Sequence, residues 1–161
     1  MLEAVARSLD DKRCFDLPDV GSYRRPGWFD RSGTTLLPVG SPSLQARTFG
    51  GWIARAAAVD PHGAIVGEFQ RREFADVLGD VAWGQTAYVL APETGYDDFV
   101  LTWGGEPKLR VRRHRPSTGI PAYIERTDRT LDRGLTLFVT WLLMELRGES
   151  DRNNNWGSVA F

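Results

Sequence analysis

At 161 residues, with 42% hydrophobic and 25% charged residues, the chain has the size and composition of one globular domain able to bury a sizeable core. A formal net charge of −1 argues against a general nucleic-acid binder, which carries a strong basic excess, so no nucleic-acid partner is expected. Cys14 is the one cysteine, which excludes an intramolecular disulfide and a multi-cysteine zinc site and favours a reducing, cytoplasmic setting.

The amino-terminal Met1–Arg7 stretch is amphipathic and gives way to Asp10, Asp11, Lys12 and Arg13 without the long apolar core of a signal peptide, so export by that route is not expected. Residues 1–32 carry Pro18, Gly21, Pro26 and Gly27 with little periodicity and read as a short helix followed by an irregular N-terminal arm. Strand signals begin after it. Thr34–Val39 is β-prone, Leu44–Phe49 alternates apolar with polar, and turn formers bound both. Trp52–Val59 and Ala64–Phe69 flank Asp60-Pro61-His62-Gly63, in which proline presets φ at the second position and glycine relaxes the fourth, so the two runs predict a hairpin.

Glu73–Leu78 reads as a helical turn or loop, and Ala82–Leu90 as one strand. Asp98–Trp103 and Lys108–Arg113 are joined across Gly104-Gly105, a two-residue hairpin signal, and in the second strand Leu109 and Val111 face one way while Lys108, Arg110 and Arg112 face the other. Ala122–Arg126 is a last short strand. About eight strands result, spaced as in an all-β sandwich or barrel.

Leu135–Leu146 breaks the pattern. Only Thr136, Thr140 and Glu145 interrupt an apolar wrap that covers every face, whereas a surface helix has one apolar stripe. The run spans only about 18 Å at helical rise, too short for a membrane span of roughly 20 apolar residues. A helix over about 129–147 is expected, capped by Thr127, Asp128 or Thr130 and ended by Arg147 and Gly148. An apolar rod needs a wrapper, and a curved antiparallel sheet with an apolar inner face needs a filler. The predicted fold is therefore mainly β (α+β): residues 33–148 form an antiparallel β-barrel or strongly curved sheet wrapped around a hydrophobic C-terminal helix. Residues 149–161 form a polar and aromatic C-terminal tail. Aspartate at position 141 is expected to abolish folding.

The run of short strands, the Asp60–Gly67 segment with its Asp-x-x-Gly turn and Val66-Gly67 pair, and the hydrophobic C-terminal helix together resemble the tubby C-terminal-like superfamily, which includes LURP-one-related and phospholipid-scramblase-like proteins. The likeness covers roughly residues 34–148. It implies a closed antiparallel barrel threaded by the helix. The family barrel has twelve strands, more than the sequence supplies on this reading. It further implies a binding module rather than an enzyme, acting on anionic lipid or phosphorylated ligands and peripheral at a membrane surface. Lys108, Arg110, Arg112, Arg113 and Arg115 are the candidate ligands, since adjacent guanidinium groups suit bidentate phosphate contacts. The bland alternative is a solvated strand face paired with Asp97 and Asp98.

Other chemistry is sparse. His62 lies in a tight turn and His114 in an arginine run that favours its neutral form, with no nucleophile or orienting acid at a meaningful spacing. Lys12 and Arg13 beside Cys14 favour a lowered thiol pKa, but a lone cysteine near the N-terminus is expected to be inert. Glu93, Asp97 and Asp98 lack the oxygen spacing of a calcium loop, and no phosphate loop or dinucleotide fingerprint is present, so neither metal nor cofactor is expected. The tryptophans beside turn glycines, Trp83 and Trp103, read as core packing. Trp156 and Phe161 give a second functional reading: a structural or interaction protein that assembles with a protein partner or a second copy through its N-terminal arm and C-terminal tail.

Overall fold

The computed structural model describes residues 2–27, 33–49, 53–73, 78–93, 97–113 and 120–159, with side chains through residue 147 except at 73. Among them are thirteen strands and one helix. In chain order the strands are β1 (Glu3–Ala4), β2 (Ala6–Arg7), β3 (Cys14–Leu17), β4 (Gly21–Arg24), β5 (Thr34–Pro38), β6 (Leu44–Phe49), β7 (Arg55–Val59), β8 (Ile65–Glu73), β9 (Leu78–Trp83), β10 (Thr86–Pro92), β11 (Asp98–Trp103), β12 (Glu106–Arg113) and β13 (Ala122–Arg126), followed by α1 (Arg133–Val159). From β2 to β13 each strand pairs antiparallel with the next, and β1 returns to pair with β13. The expected mainly β fold around a C-terminal helix is what forms.

The sheet closes at Val5. Glu3 and Ala4 pair with Ile124 and Tyr123 on one edge, the Val5 N–H donates to the Ala122 carbonyl, and Ala6 and Arg7 pair with Asp16 and Phe15 on the other edge. One short strand, divided between two partners, thus joins both ends of the wall. The N-terminal segment therefore supplies β1 to β4 rather than a short helix and an irregular arm. These strands are two to four residues long, too short for a periodic signal, and are held by partners distant in sequence.

Turn chemistry sets the register elsewhere. The Asp60 carboxylate accepts the N–H groups of His62 at 2.8 Å and Ala64 at 2.9 Å, fixing the β7–β8 turn. Gly104 and Gly105, at φ +60° and +80°, make the left-handed two-residue turn between β11 and β12. The single strand expected over Ala82–Leu90 is instead parts of two, because the chain reverses between Trp83 and Thr86. Glu73 and Leu78, expected in a helical turn or loop, belong to β8 and β9.

The helix fills the wall. Every residue from Gly134 to Leu143 is buried, and Leu146 with them, so no face of this stretch meets solvent. Inward strand residues close around it: Tyr23, Leu36, Phe69, Val81, Leu90, Leu101, Leu109 and Ile124 are each at most 1% exposed. Thr136 and Thr140 are tolerated there because each hydroxyl donates back to a carbonyl one turn earlier, to Asp132 at 3.0 Å and Thr136 at 2.8 Å. The cap is Asp132, whose Oδ1 accepts the Leu135 N–H at 3.1 Å, and not the expected Thr127, Asp128 or Thr130. The latter two form a turn of their own, with Asp128 accepting the Thr130 N–H at 2.9 Å. Past Arg147 the backbone stays helical to Val159, through Gly148 and over most of the expected tail.

Close approach explains one glycine. Gly67 of β8 lies opposite Trp83 of β9, and a Cβ at position 67 would overlap the Trp83 ring, which packs 5.5 Å from the Phe138 ring of α1. A Gly67→Val substitution is expected to displace Trp83 and cost about 1–3 kcal/mol, read as a lower urea midpoint with a weakened near-UV signal. An unchanged midpoint would show that the indole has room to move.

Candidate functional site

On β12 the alternation places Lys108, Arg110 and Arg112 on the outer face and Leu109 and Val111 inside, as the sequence predicts. The outer cations are already partnered. Arg110 Nε lies 3.1 and 3.0 Å from the two Glu93 oxygens, and Arg112 Nε lies 2.8 Å from Asp98 Oδ1, its cross-strand neighbour on β11. The Lys108 ammonium is 3.5 Å from Asp128 and 3.6 Å from Glu106, and 5.4 Å over the ring of Trp103. Trp103 itself is half exposed rather than in the core, whereas Trp83 is buried.

Arg113 belongs to the inner register. Its guanidinium donates to the Leu143 carbonyl of α1 at 3.0 Å, lies 3.4 Å from Asp97 Oδ1 and stacks 4.5 Å over Phe99, which ties the helix to the wall. Arg115 and His114 lie outside the described residues. The predicted five-residue cluster is thus not brought together: three cations face out and one faces in. The shallow cleft beside Arg110 and Arg112, about 260 Å³, is also lined by Glu93, Asp98 and Glu125, so acids there outnumber the arginines.

A less balanced concavity lies at the mouth where α1 enters the barrel. A depression of about 520 Å³ is lined by Asp19, Val39, Arg126, Arg129 and Arg133. Arg133 is held by main-chain oxygens: Nε donates to Asp19 O at 3.1 Å and Nη1 to Val39 O at 3.3 Å. Arg126 Nη2 pairs with Glu3 Oε2 at 3.6 Å, and its side chain is largely buried. Arg129 is exposed and makes no ion pair with any described residue. Arg133 also occupies the first helical position, where the helix dipole disfavours a cation by roughly 0.3–1 kcal/mol. The local rule is broken in favour of concentrated positive charge. Nearby, Asp128 is held below the usual carboxylate range by the Thr130 hydroxyl and N–H, and so stays ionised beside Lys108.

The spacing Arg126, Arg129, Arg133 was visible in the sequence, but as the approach to a helix. What makes it a site is the pair of carbonyls from the Asp19 and Val39 turns, more than ninety residues away, and no local pattern encodes that.

Of the remaining candidates, the Cys14 thiol is pushed up by burial and by the Asp11 carboxylate to which it donates at 3.5 Å, opposite to the lowering that Lys12 and Arg13 favour. His62 is an exposed turn residue. Trp156 is on the continuing helix with its side chain undescribed, and Phe161 lies outside the described residues. Among the described residues no three His, Cys, Asp or Glu side chains converge as metal ligands, and no helix is long and apolar enough to cross a membrane.

Fold and mouth together define a helix-filled antiparallel β-barrel with an arginine-lined entrance. No protein-family model, curated protein or solved structure matches the chain.

Proposed function

We propose that the protein is a non-enzymatic binding module for phosphoryl-bearing anions, anionic lipid head groups among them, and that the ligand is held at the mouth lined by Arg126, Arg129 and Arg133. The observation that supports this reading is the charge there: Arg126, Arg129 and Arg133 line the depression beside Asp19, and although Arg126 pairs with Glu3, Arg129 is exposed and Arg133 is oriented by two carbonyls. The outer face of β12 is the weaker host, because a phosphate arriving at Arg110 or Arg112 must first displace Glu93 or Asp98. Kinship with the tubby-like superfamily belongs to the same proposal. With β1 and β2 counted as one strand bent at Val5, the wall has the twelve staves of that family's barrel. A cytoplasmic protein peripheral at a membrane surface fits both parts of the reading.

Flotation with phosphatidylcholine vesicles, with and without a phosphatidylinositol phosphate, tests it. Wild type is expected to float only with the phosphorylated lipid, and an Arg129→Glu/Arg133→Gln variant to bind at least about tenfold more weakly, a loss of about 1.4 kcal/mol. An Arg110→Gln/Arg112→Gln variant is expected to bind as wild type. Removing the Arg133 charge relieves its conflict with the helix dipole but also removes its hydrogen bonds to Asp19 and Val39, so the variant's melting temperature is measured alongside to separate loss of binding from unfolding. No flotation, or flotation indifferent to the mouth variant, removes the proposal.

A further inference from the structure

The opposite mouth of the barrel, where α1 leaves the buried region, has a different chemistry. A depression of about 290 Å³ is lined there by Arg25, Pro26, Ala46, Thr48, Trp141 and Glu145, among others. Trp141 is 2% exposed, and its indole Nε1–H is buried without an acceptor. Tyr23, 1% exposed, likewise has a buried hydroxyl with no partner. The charges that act on that hydroxyl are Glu145 and Arg25 of the same mouth. Burial and the Glu145 charge raise the phenol above its ordinary range, so it stays protonated and able to donate. Glu145 itself is engaged by Arg25, Nε to Oε1 at 3.0 Å.

An unmade buried hydrogen bond costs roughly 1–3 kcal/mol, and native proteins leave few of them. The Trp141 N–H, on a residue that lines the depression, therefore calls for an acceptor, and the Tyr23 hydroxyl, which feels the same Glu145 and Arg25 charges, also lacks a partner. An incoming anion must displace Glu145 from Arg25, as at β12, but here it also meets the Trp141 N–H that has no acceptor, while Pro26, Ala46 and the indole supply apolar wall. A carboxylate meets all of these demands with two acceptor oxygens and one negative charge. The space suits a compact molecule, at the lower end of ligand-site volumes.

We propose that the mouth formed by Arg25, Ala46, Trp141 and Glu145 binds a small organic carboxylic acid, whose carboxylate accepts from the Trp141 indole N–H and pairs with Arg25. This site is independent of the arginine mouth at the other end of α1.

Benzoate is the probe, with benzyl alcohol as its uncharged counterpart. In a proton–nitrogen correlation spectrum the indole N–H of Trp141 is assigned through cross-peaks to Thr140 and Leu142, and checked by its loss in Trp141→Phe where that variant folds. Titration with benzoate is expected to move this signal downfield to saturation. Benzyl alcohol is expected to leave it in place, and Arg25→Gln to weaken the benzoate response about tenfold. Arg25 is half exposed, so its replacement leaves the core intact. A Trp141 signal that stays put at millimolar benzoate overturns the proposal, as does an equal response to benzyl alcohol or an undiminished one in Arg25→Gln. A water filling the mouth corresponds to the first of these. An Arg129→Glu/Arg133→Gln variant is expected to keep the benzoate response, which separates failure here from failure of the phosphoryl reading.

Discussion

Truncating Phe138 to alanine is expected to cost about 3–5 kcal/mol, a third or more of the stability of an ordinary domain. Phe138 is fully buried at the middle of the enclosed stretch of α1, with its ring 5.5 Å from Trp83 of the wall and 5.7 Å from Trp141 of the helix. Both neighbours are large and rigid, and the strands behind them are bonded on both sides, so collapse into the vacated volume is limited. The cost therefore falls near the upper part of the range rather than the lower. Urea unfolding followed by near-UV circular dichroism measures it, because the signal of these tilted, packed aromatic rings reports the same packing. Thr136→Val is the matched control. It removes a hydroxyl bonded only to the Asp132 carbonyl and keeps the volume, so it is expected to be close to neutral. A loss under about 1 kcal/mol for Phe138→Ala would mean that the wall closes readily around a smaller rod, and that the helix is not the keystone of the core.

The rod was legible in the sequence because its pattern has a single solution. An apolar wrap of about 18 Å bracketed by arginines is too short for a bilayer and too greasy for a surface, so it must be enclosed. The β7–β8 and β11–β12 hairpins were legible for a local reason, since Asp60-Pro61-His62-Gly63 and Gly104-Gly105 carry their turn geometry within four residues or fewer. The β9–β10 reversal was missed although Gly84 marks it, because the residues on either side of Gly84 and Gln85 are β-prone and read as one run over Ala82–Leu90. The charged sites were legible only in part. Lys108, Arg110 and Arg112 were correctly assigned to one face, and Asp97 and Asp98 were in view as partners. That Arg113 turns inward to a helix carbonyl depends on where α1 lies inside the wall. The arginine mouth and the unpaired Trp141 donor depend on the same tertiary fact.

The N-terminal strand tests that fact from the outside. Removing residues 1–7 is expected to open the barrel, with a loss beyond the roughly 1.5–3 kcal/mol of burying Val5 alone. Val5 is 1% exposed, and the segment around it bonds to β13 on one side and β3 on the other. Without it, both strands become edges with unpaired N–H and C=O groups, and the apolar rod behind them is uncovered along one seam. Two readouts follow from the geometry. Amide hydrogen exchange should rise first in Ala122–Arg126 and Cys14–Leu17, while β7 to β10 on the far side of the wall stay protected. The truncated protein should also associate through its new edges, giving a concentration-dependent mass in light scattering. Val5→Asp separates the two causes. It keeps the backbone that pairs with both edges but places a charge against the core, so it is expected to destabilise without producing edge-driven association. A truncated chain that stays monomeric, melts as wild type and protects β13 as before would show that the wall holds its shape without the closing strand. The helix would then be enclosed by curvature alone, without a closing seam.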